Sequence, residues 1–177
     1  FDRDGDWARG GRADAALLGS WLDEPYFGLG PPKSTGRDLF NAEWLERSLA
    51  ARRGAPAAGA AGRATPDPDP RDVQATLVEL TAVTVARACR DFDADRVFVC
   101  GGGARNRFLI ERLGAQVAPA PVATTQALGV DPQSVEAAAF AWLAAQRLDG
   151  LAGNLPSVTG ARGARVLGLL AEPAPRS

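Results

Sequence analysis

A glycine-rich junction at residues 96–113, reading RVFVCGGGARNRFLIERL, constrains the fold of this chain more than any other feature. A short apolar run of strand-forming residues comes first, three consecutive glycines follow, and apolar residues then recur at helical spacing. This order predicts a strand, a tight turn and a helix. The chain is therefore expected to adopt an α/β fold.

The glycines of this junction favour a ligand-binding turn, although they do not require one. Glycine permits positive φ and lets a ligand approach the main chain, and the free N–H groups of the next helix favour anionic atoms. A phosphate-wrapping P-loop needs Lys followed by Ser or Thr after its last glycine, and a dinucleotide fingerprint needs glycine where Asn106 stands. Neither pattern fits. Nucleotide binding and a ligand-free connection therefore both remain open at this point.

Composition excludes several classes of partner. The 177 residues carry a formal net charge of -1, so there is no basic field to attract nucleic acid or an anionic membrane. No apolar run approaches the ~20 residues that span a bilayer, and the first residues do not resemble a signal peptide, so a cytoplasmic protein is expected. The chain has no histidine, and its two cysteines, Cys89 and Cys100, predict buried apolar residues rather than a metal site.

Three helices are predicted before the junction. The first covers residues 12–22, the second is capped by Asn41 and ends near Arg53, and the third begins at Pro70 or the next residue. The third carries two apolar stripes, which predict packing on two sides.

Residues 54–70 are rich in proline, alanine and glycine and predict a flexible linker. The polar loop KSTGR at residues 33–37 could contact a phosphate or a sugar, but a solvated loop with a Ser/Thr turn is the more common meaning of such a sequence.

Three threonines on the apolar third helix need partners for their hydroxyl groups. Thr76, Thr81 and Thr84 are each expected to donate to the carbonyl one turn earlier in the helix, and no catalytic role is assigned to them.

After the junction, Val117 and residues 122–125 predict a second short strand, and Asp131 followed by proline predicts a helix that runs to about Asp149. Glu136 stands in this helix at i+4 and i+7 spacing from Phe140 and Leu143, which places the carboxylate in line with a packed face. From spacing alone, a partly exposed glutamate of the first turn is the better interpretation. Residues 166–170 predict a final short strand or helix.

Five blocks of sequence occur in a characteristic order. They are PPKSTGRDLFNAEWLE, DVQATLVELTAVTV, VFVCGGGARN, VEAAAFAWLA and GNLPSVTGA. Together they closely resemble the C-terminal half of the anhydro-N-acetylmuramic acid kinase family, which are bacterial enzymes of cell-wall recycling. The resemblance runs from residue 1 to about residue 171, and only residues 54–70 look like an insertion.

The resemblance implies the two-lobed fold of actin-like ATPases and sugar kinases. Residues 1–177 would form the C-terminal lobe, a mixed sheet with flanking helices, and the N-terminal lobe would be absent. It also implies the reaction, in which ATP, with Mg²⁺, and water convert 1,6-anhydro-N-acetylmuramic acid to N-acetylmuramic acid 6-phosphate. The implied partner is this small sugar, not nucleic acid or a membrane, and a homodimer is compatible with the resemblance.

The resemblance also implies the site residues. Gly101, Gly102 and Gly103 match the family's glycine turn on the adenosine side, with Asn106 nearby. Glu136 matches a glutamate that contacts the anhydro sugar, and this match changes its interpretation from an exposed helix residue to a sugar ligand.

The family's first phosphate loop, Gly-Thr-Ser-x-Asp-Gly, does not occur in this sequence, nor does the stretch Asp-Thr-Gly-Pro-Gly-Asn. The aspartate that acts as general base is missing with them. No catalytic residue and no metal ligand is therefore predicted within the chain, and the 177 residues alone are expected to be inactive. The alternative hypothesis is a non-catalytic α/β module that binds nucleotide or another protein.

Overall fold

The computed structural model of the chain describes residues 2–54 and 66–171. Its helices are α1 (Asp6–Arg9), α2 (Ala15–Leu22), α3 (Ala42–Gly54), α4 (Pro70–Asp91), α5 (Arg107–Val117), α6 (Val135–Leu148) and α7 (Pro156–Thr159). The strands are β1 (Val97–Val99) and β2 (Val122–Thr124), and 3₁₀ turns cover Arg3–Gly5, Pro25–Gly28, Gly102–Arg105 and Thr125–Leu128. The predicted linker at residues 54–70 lies mostly outside the described residues.

Helix α4 is the central element, because it contacts α1, α2 and α5. Its first half packs into an aromatic-rich cluster that includes Leu17, Trp21, Trp44 and Leu80. Its second half packs into a cluster made by Ala82, Ala86, Leu113 and Val117. The prediction of a helix packed on two sides is confirmed. Burial of these apolar side chains is the main stabilising contribution of this part of the fold.

The threonines of α4 bond as the sequence predicts. The hydroxyl groups of Thr76, Thr81 and Thr84 donate to carbonyl oxygens one turn earlier, at 2.6, 2.9 and 2.9 Å. Thr76 is fully buried, and its Oγ1 also accepts the backbone N–H of Asp14 at 2.9 Å. The side chain of Asp14 accepts the N–H groups of Ala16 and Leu17 and so caps α2. Thr76 therefore ties the start of α2 to the first half of α4.

The sheet consists of β1 and β2, which run parallel with Val97 opposite Val122 and Val99 opposite Thr124. Helix α5 connects them as the crossover of a βαβ unit. The predicted mixed sheet is wrong for the described part of the chain, because no third strand pairs with these two. The prediction that Val117 belongs to the second strand is also wrong, since Val117 ends α5 and is buried against α4.

Helix α6 begins later than predicted and lacks the expected packed face. The side chain of Asp131 accepts the N–H of Gln133 at 2.7 Å and so forms a turn, after which the helix begins at Val135. Phe140 is 64% exposed, and no residue of α6 is buried. Periodicity correctly gives the helix an apolar face, but the described residues do not cover that face.

The predicted final element at residues 166–170 is wrong, because this stretch has no regular secondary structure. Leu169 is 96% exposed, so the apolar run does not pack as a strand or helix would. Within the described ranges, no helix has the length and apolar composition needed to cross a membrane.

Candidate nucleotide and sugar site

The glycine junction forms the predicted strand, turn and helix. Strand β1 ends at Val99, Gly101 follows, a 3₁₀ turn covers Gly102–Arg105, and α5 begins at Arg107. The turn therefore lies at the carboxyl end of a strand in a parallel sheet. This is the edge at which open α/β sheets bind their ligands.

The three glycines do not share one conformational role. Gly101 has φ 70° and ψ −161°, a combination that only glycine adopts readily. Gly102 and Gly103 lack a positive φ, so their backbone does not require glycine. A Cβ atom at Gly102 would meet nothing within 4 Å, and one at Gly103 would lie 3.7 Å from Leu109 Cδ2. Gly101 therefore sets the path of the chain, whereas Gly102 leaves bare backbone facing open space.

Asn106 has a structural task in the described residues. Its Oδ1 accepts the N–H of Leu109 at 2.9 Å and so caps α5. The residue also lies close to Gly5, because a Cβ atom there would come within 2.1 Å of the Asn106 Oδ1. The structure thus gives Asn106 a capping role, and its predicted nucleotide contact stays a prediction.

Two hydrogen bonds join the glycine turn to the segment before α6. The N–H of Gly101 donates to the carbonyl oxygen of Pro132 at 2.8 Å, and Gln133 Nε2 donates to the carbonyl oxygen of Gly101 at 2.7 Å. Glu136 follows in the first turn of α6 and is exposed. The structure thus connects the predicted adenosine turn with the element that carries the predicted sugar ligand.

Sequence reasoning missed Gln133, and no local signal identifies it. It lies 32 residues from Gly101 along the chain, and neither its spacing nor its neighbours distinguish it from any other polar residue before a helix.

The second strand also ends in polar groups at this edge. Thr124 closes β2 and Thr125 begins the 3₁₀ turn that follows. The Oγ1 of Thr125 is buried and has no hydrogen-bond partner among the described residues. A buried hydroxyl group without a partner is uncommon in folded proteins, so the edge beside the glycine turn contains an unsatisfied polar atom.

Positive charge flanks the glycine turn. Arg105 ends the 3₁₀ turn, Arg107 is the first residue of α5, and both side chains are exposed. Neither takes part in the ion pairs formed within residues 2–54 and 66–171. These guanidinium groups suit a polyphosphate better than a neutral ligand. Cys100, which precedes the turn, is exposed, so the prediction that it is buried is wrong.

The KSTGR loop is largely exposed, and its lysine is held within its own segment. Lys33 Nζ donates to the carbonyl oxygens of Tyr26 and Phe27, each at 3.3 Å, and lies 4.9 Å from the centroid of the Tyr26 ring. The adjacent Pro32 packs against Gly160, where an added Cβ atom would come within 2.7 Å of Pro32 Cγ. Two blocks that are distant in sequence, PPKSTGR and GNLPSVTGA, therefore meet in the fold.

The fold and the turn together define an α/β protein with a glycine-rich junction at the carboxyl edge of a parallel strand pair. Residues 1–173 match the sequence profile of the family described as "Anhydro-N-acetylmuramic acid kinase". The chain belongs to this family.

Individual relatives carry the same name. The anhydro-N-acetylmuramic acid kinase of Paraburkholderia xenovorans is 51% identical over 177 aligned positions, which cover 96% of this chain and 44% of that protein. The protein of that name from Cupriavidus pinatubonensis is 50% identical, with 96% and 43% covered. The one from Coxiella burnetii is 45% identical, with 96% and 42% covered. The chain thus spans less than half the length of these relatives.

Proposed function

We propose that this chain is the C-terminal lobe of an actin-like, ATP-dependent kinase that phosphorylates 1,6-anhydro-N-acetylmuramic acid in peptidoglycan recycling. The family match over residues 1–173 is the observation that carries the proposal. The product would be N-acetylmuramic acid 6-phosphate, formed with water and with hydrolytic opening of the anhydro ring. A cytoplasmic location and a homodimer are part of the same proposal.

The nucleotide would bind at the glycine turn, with adenosine against the bare backbone of Gly101, Gly102 and Gly103. The open space beside Gly102 supports this placement, because a side chain there would have to share that space with the ligand. The exposed cations Arg105 and Arg107 lie at the same turn and would favour the phosphate groups. Asn106 caps α5 through its Oδ1, and its Nδ2 could donate to the ligand.

The sugar would be oriented by Glu136. Its carboxylate is exposed at the first turn of α6, and it has no hydrogen-bond partner within the described residues. A carboxylate is stabilised at this end of a helix by the helix dipole, and it accepts hydrogen bonds from sugar hydroxyl groups. Glu136 would bind and orient the substrate, and the general base would come from the remainder of the longer protein.

Kinases of this kind use Mg²⁺ to neutralise the phosphate groups of ATP. Residues 2–54 and 66–171 contain no group of three His, Cys, Asp or Glu side chains that could hold a metal ion. Mg²⁺ usually binds through one or two carboxylates together with the substrate phosphates, so the ion would enter with ATP.

The exposed apolar surface after residue 134 supports a lobe that packs against further polypeptide. No described residue beyond Val117 is buried. Ten large apolar side chains in this part are exposed: Phe140, Trp142, Leu148, Leu151, Leu155, Val158, Val166, Leu167, Leu169 and Leu170. Exposed apolar side chains in this number are typical of a segment that packs against a partner.

The nucleotide site is tested by titrating ATP and ADP into the 177-residue chain and into Gly102→Ala. The variant adds one methyl group where it meets nothing in the protein, so the fold is expected to persist while affinity falls at least several-fold. Gly19→Ala is the matched control, because a Cβ atom at Gly19 also meets nothing within 4 Å, and it lies on α2 away from the turn. Equal affinities of Gly102→Ala and the unchanged chain would mean that the turn is only a connection between β1 and α5.

The kinase proposal is tested by ADP release from ATP in the presence of the anhydro sugar. The 177-residue chain is expected to show none, because phosphoryl transfer needs groups that this sequence lacks. A longer protein that contains this chain and has the length of the relatives should release ADP only when the sugar is present. Nucleotide binding without any sugar-dependent turnover in that longer protein would favour the non-catalytic module instead.

A further inference from the structure

The two peptide groups that flank the Cα atom of Gly101 are both held by the segment that leads into α6. Its N–H donates to Pro132 and its carbonyl oxygen accepts from Gln133 Nε2, at 2.8 and 2.7 Å. The Pro132 bond uses the main chain and is independent of the side chain at residue 133. Of these two bonds, only the one from Gln133 can be removed by a side-chain substitution.

Gly101, which these two bonds hold, also has an unusual backbone conformation. With φ 70° and ψ −161°, Gly101 adopts a conformation that is open to glycine and closed to other residues, so its position is set by the bonds around it and not by a side chain of its own. The side chain of Gln133 is itself exposed, and an exposed hydrogen bond contributes little to overall stability. The effect of this bond is therefore local, on the relative position of the two segments that it joins.

We propose that Gln133 is a positioning residue that ties the nucleotide turn to the start of α6 and thereby sets the place of Glu136 relative to bound nucleotide. Gln133 touches neither ligand in this proposal and acts through Gly101 on one side and through the first turn of α6 on the other. The inference rests on the proposed function, because it assigns nucleotide to the turn and sugar to Glu136. It adds a structural coupling between the nucleotide turn and Glu136, which neither binding site requires by itself.

The test uses Gln133→Glu, which keeps the shape of the side chain but removes the N–H donor and faces the Gly101 carbonyl with a carboxylate. Gln126→Glu is the matched control, because it makes the same change of charge on an exposed glutamine of the neighbouring 3₁₀ turn. Gln133→Lys restores a donor and is expected to recover the wild-type behaviour in part. All four forms of the 177-residue chain are compared by amide NMR.

Without ligand, Gln133→Glu is expected to raise the hydrogen-exchange rate of the Gly101 amide about fivefold, as loss of one ordinary hydrogen bond would. It should also shift amide signals on both sides of the bond, in the turn and in the first turn of α6, whereas Gln126→Glu should do neither. If Gln133→Glu leaves the Gly101 amide or the first turn of α6 unchanged, Gln133 does not position these segments and the inference fails.

With ATP, the signals of Gly101 to Gly103 should move in the unchanged chain, and those of Glu136 and Ala137 should move with them. In Gln133→Glu the response of Glu136 and Ala137 should fall at least several-fold while that of the turn remains. A response of α6 that survives in Gln133→Glu would overturn the inference. If the unchanged chain shows no response to ATP at all, the proposed nucleotide site fails, and the ligand-free comparison alone decides for or against the positioning role.

Discussion

The pairing of Glu79 with Arg112 yields the sharpest stability prediction for this fold. The Glu79 carboxylate lies on α4 and accepts three hydrogen bonds from α5. Arg112 donates from Nε at 2.7 Å and from Nη2 at 3.2 Å, and Gln116 donates from Nε2 at 2.5 Å. The side chain of Glu79 is only 11% exposed and that of Arg112 is 35% exposed. This cluster joins α4 and α5, which pack against each other.

The change Arg112→Met keeps most of the length of the side chain but removes its charge and two of the three bonds. Breaking a fully buried ion pair costs about 3–5 kcal/mol, because the remaining charge stays buried without its partner. Water reaches Arg112, and Gln116 still donates to Glu79, so we expect a smaller loss of about 2–3 kcal/mol in the free energy of unfolding.

The same cluster predicts how stability depends on pH. Hydrogen bonding from Arg112 holds the pKa of Glu79 below its ordinary value of 4.5, helped by Gln116 and opposed by burial. A carboxyl group with a lowered pKa stabilises the fold fully above its unfolded-state pKa. That contribution is lost as the pH falls through the folded-state pKa. In Arg112→Met this part of the acid sensitivity should shrink.

The assay is urea denaturation followed by circular dichroism at neutral pH and at a pH below the ordinary pKa of Glu79. Arg107→Met is the control, since Arg107 lies on the same helix, is exposed and takes part in none of the described ion pairs. The control should change stability by less than ~0.5 kcal/mol, as surface substitutions usually do. A loss in Arg112→Met no larger than that of the control would refute the reasoning.

Four further predictions concern two glycines, the cap of α5 and the exposed side chains of α6. Gly5→Ala should destabilise the fold by at least ~1–3 kcal/mol in urea denaturation, because φ is +78° there and the added Cβ atom would come within 2.1 Å of Asn106 Oδ1. Gly19→Ala should instead stabilise α2 by ~0.5–1 kcal/mol in the same assay. Asn106→Ala should cost ~1 kcal/mol through loss of the α5 cap. Replacing Phe140 and Trp142 together by Ser and Gln should lower binding of a hydrophobic dye and self-association in sedimentation, without loss of stability; unchanged dye binding would contradict the exposed face.

The sequence predicted the local elements of the site well, because their signals are local. Strand-forming residues before three glycines and an apolar repeat after them were enough to give β1, the turn and α5. The threonine bonds of α4 follow in the same way, since a hydroxyl group in an apolar helix has a carbonyl within reach one turn back.

The features of the site that the sequence does not predict depend on contacts between segments that are distant along the chain. Three glycines in a row do not reveal which one takes positive φ, and the structure assigns it to Gly101. The bond from Gln133 to Gly101 spans 32 residues of sequence and leaves no periodic mark. The beginning of α6 was misplaced because Asp131 and Pro132 suit a turn as well as a helix start, and the turn is what forms here.

The errors about α6 and about residues 166–170 have one physical cause. An amphipathic repeat shows that a face is apolar but not what covers it, and both predictions assumed cover within the chain. The described residues up to Val117 supply all of the buried core, whereas α6 and the segment after it contribute none. α6 does have some local support, since Leu143 packs beside Gly153 and Leu167.

The proposed site spans both parts of the chain, the part up to Val117 that has a buried core and the part from α6 onward that has none. The glycine turn belongs to the part with its own core, because β1 and α5 pack against α4. Glu136 belongs to the part without one, and its described connection to the turn runs through Pro132 and Gln133. A ligand at the turn therefore meets a backbone that the chain itself fixes, whereas a ligand at Glu136 meets a helix whose apolar face still needs a partner. Under the proposed function, nucleotide affinity should be largely a property of this chain, and sugar affinity should appear only when α6 is covered.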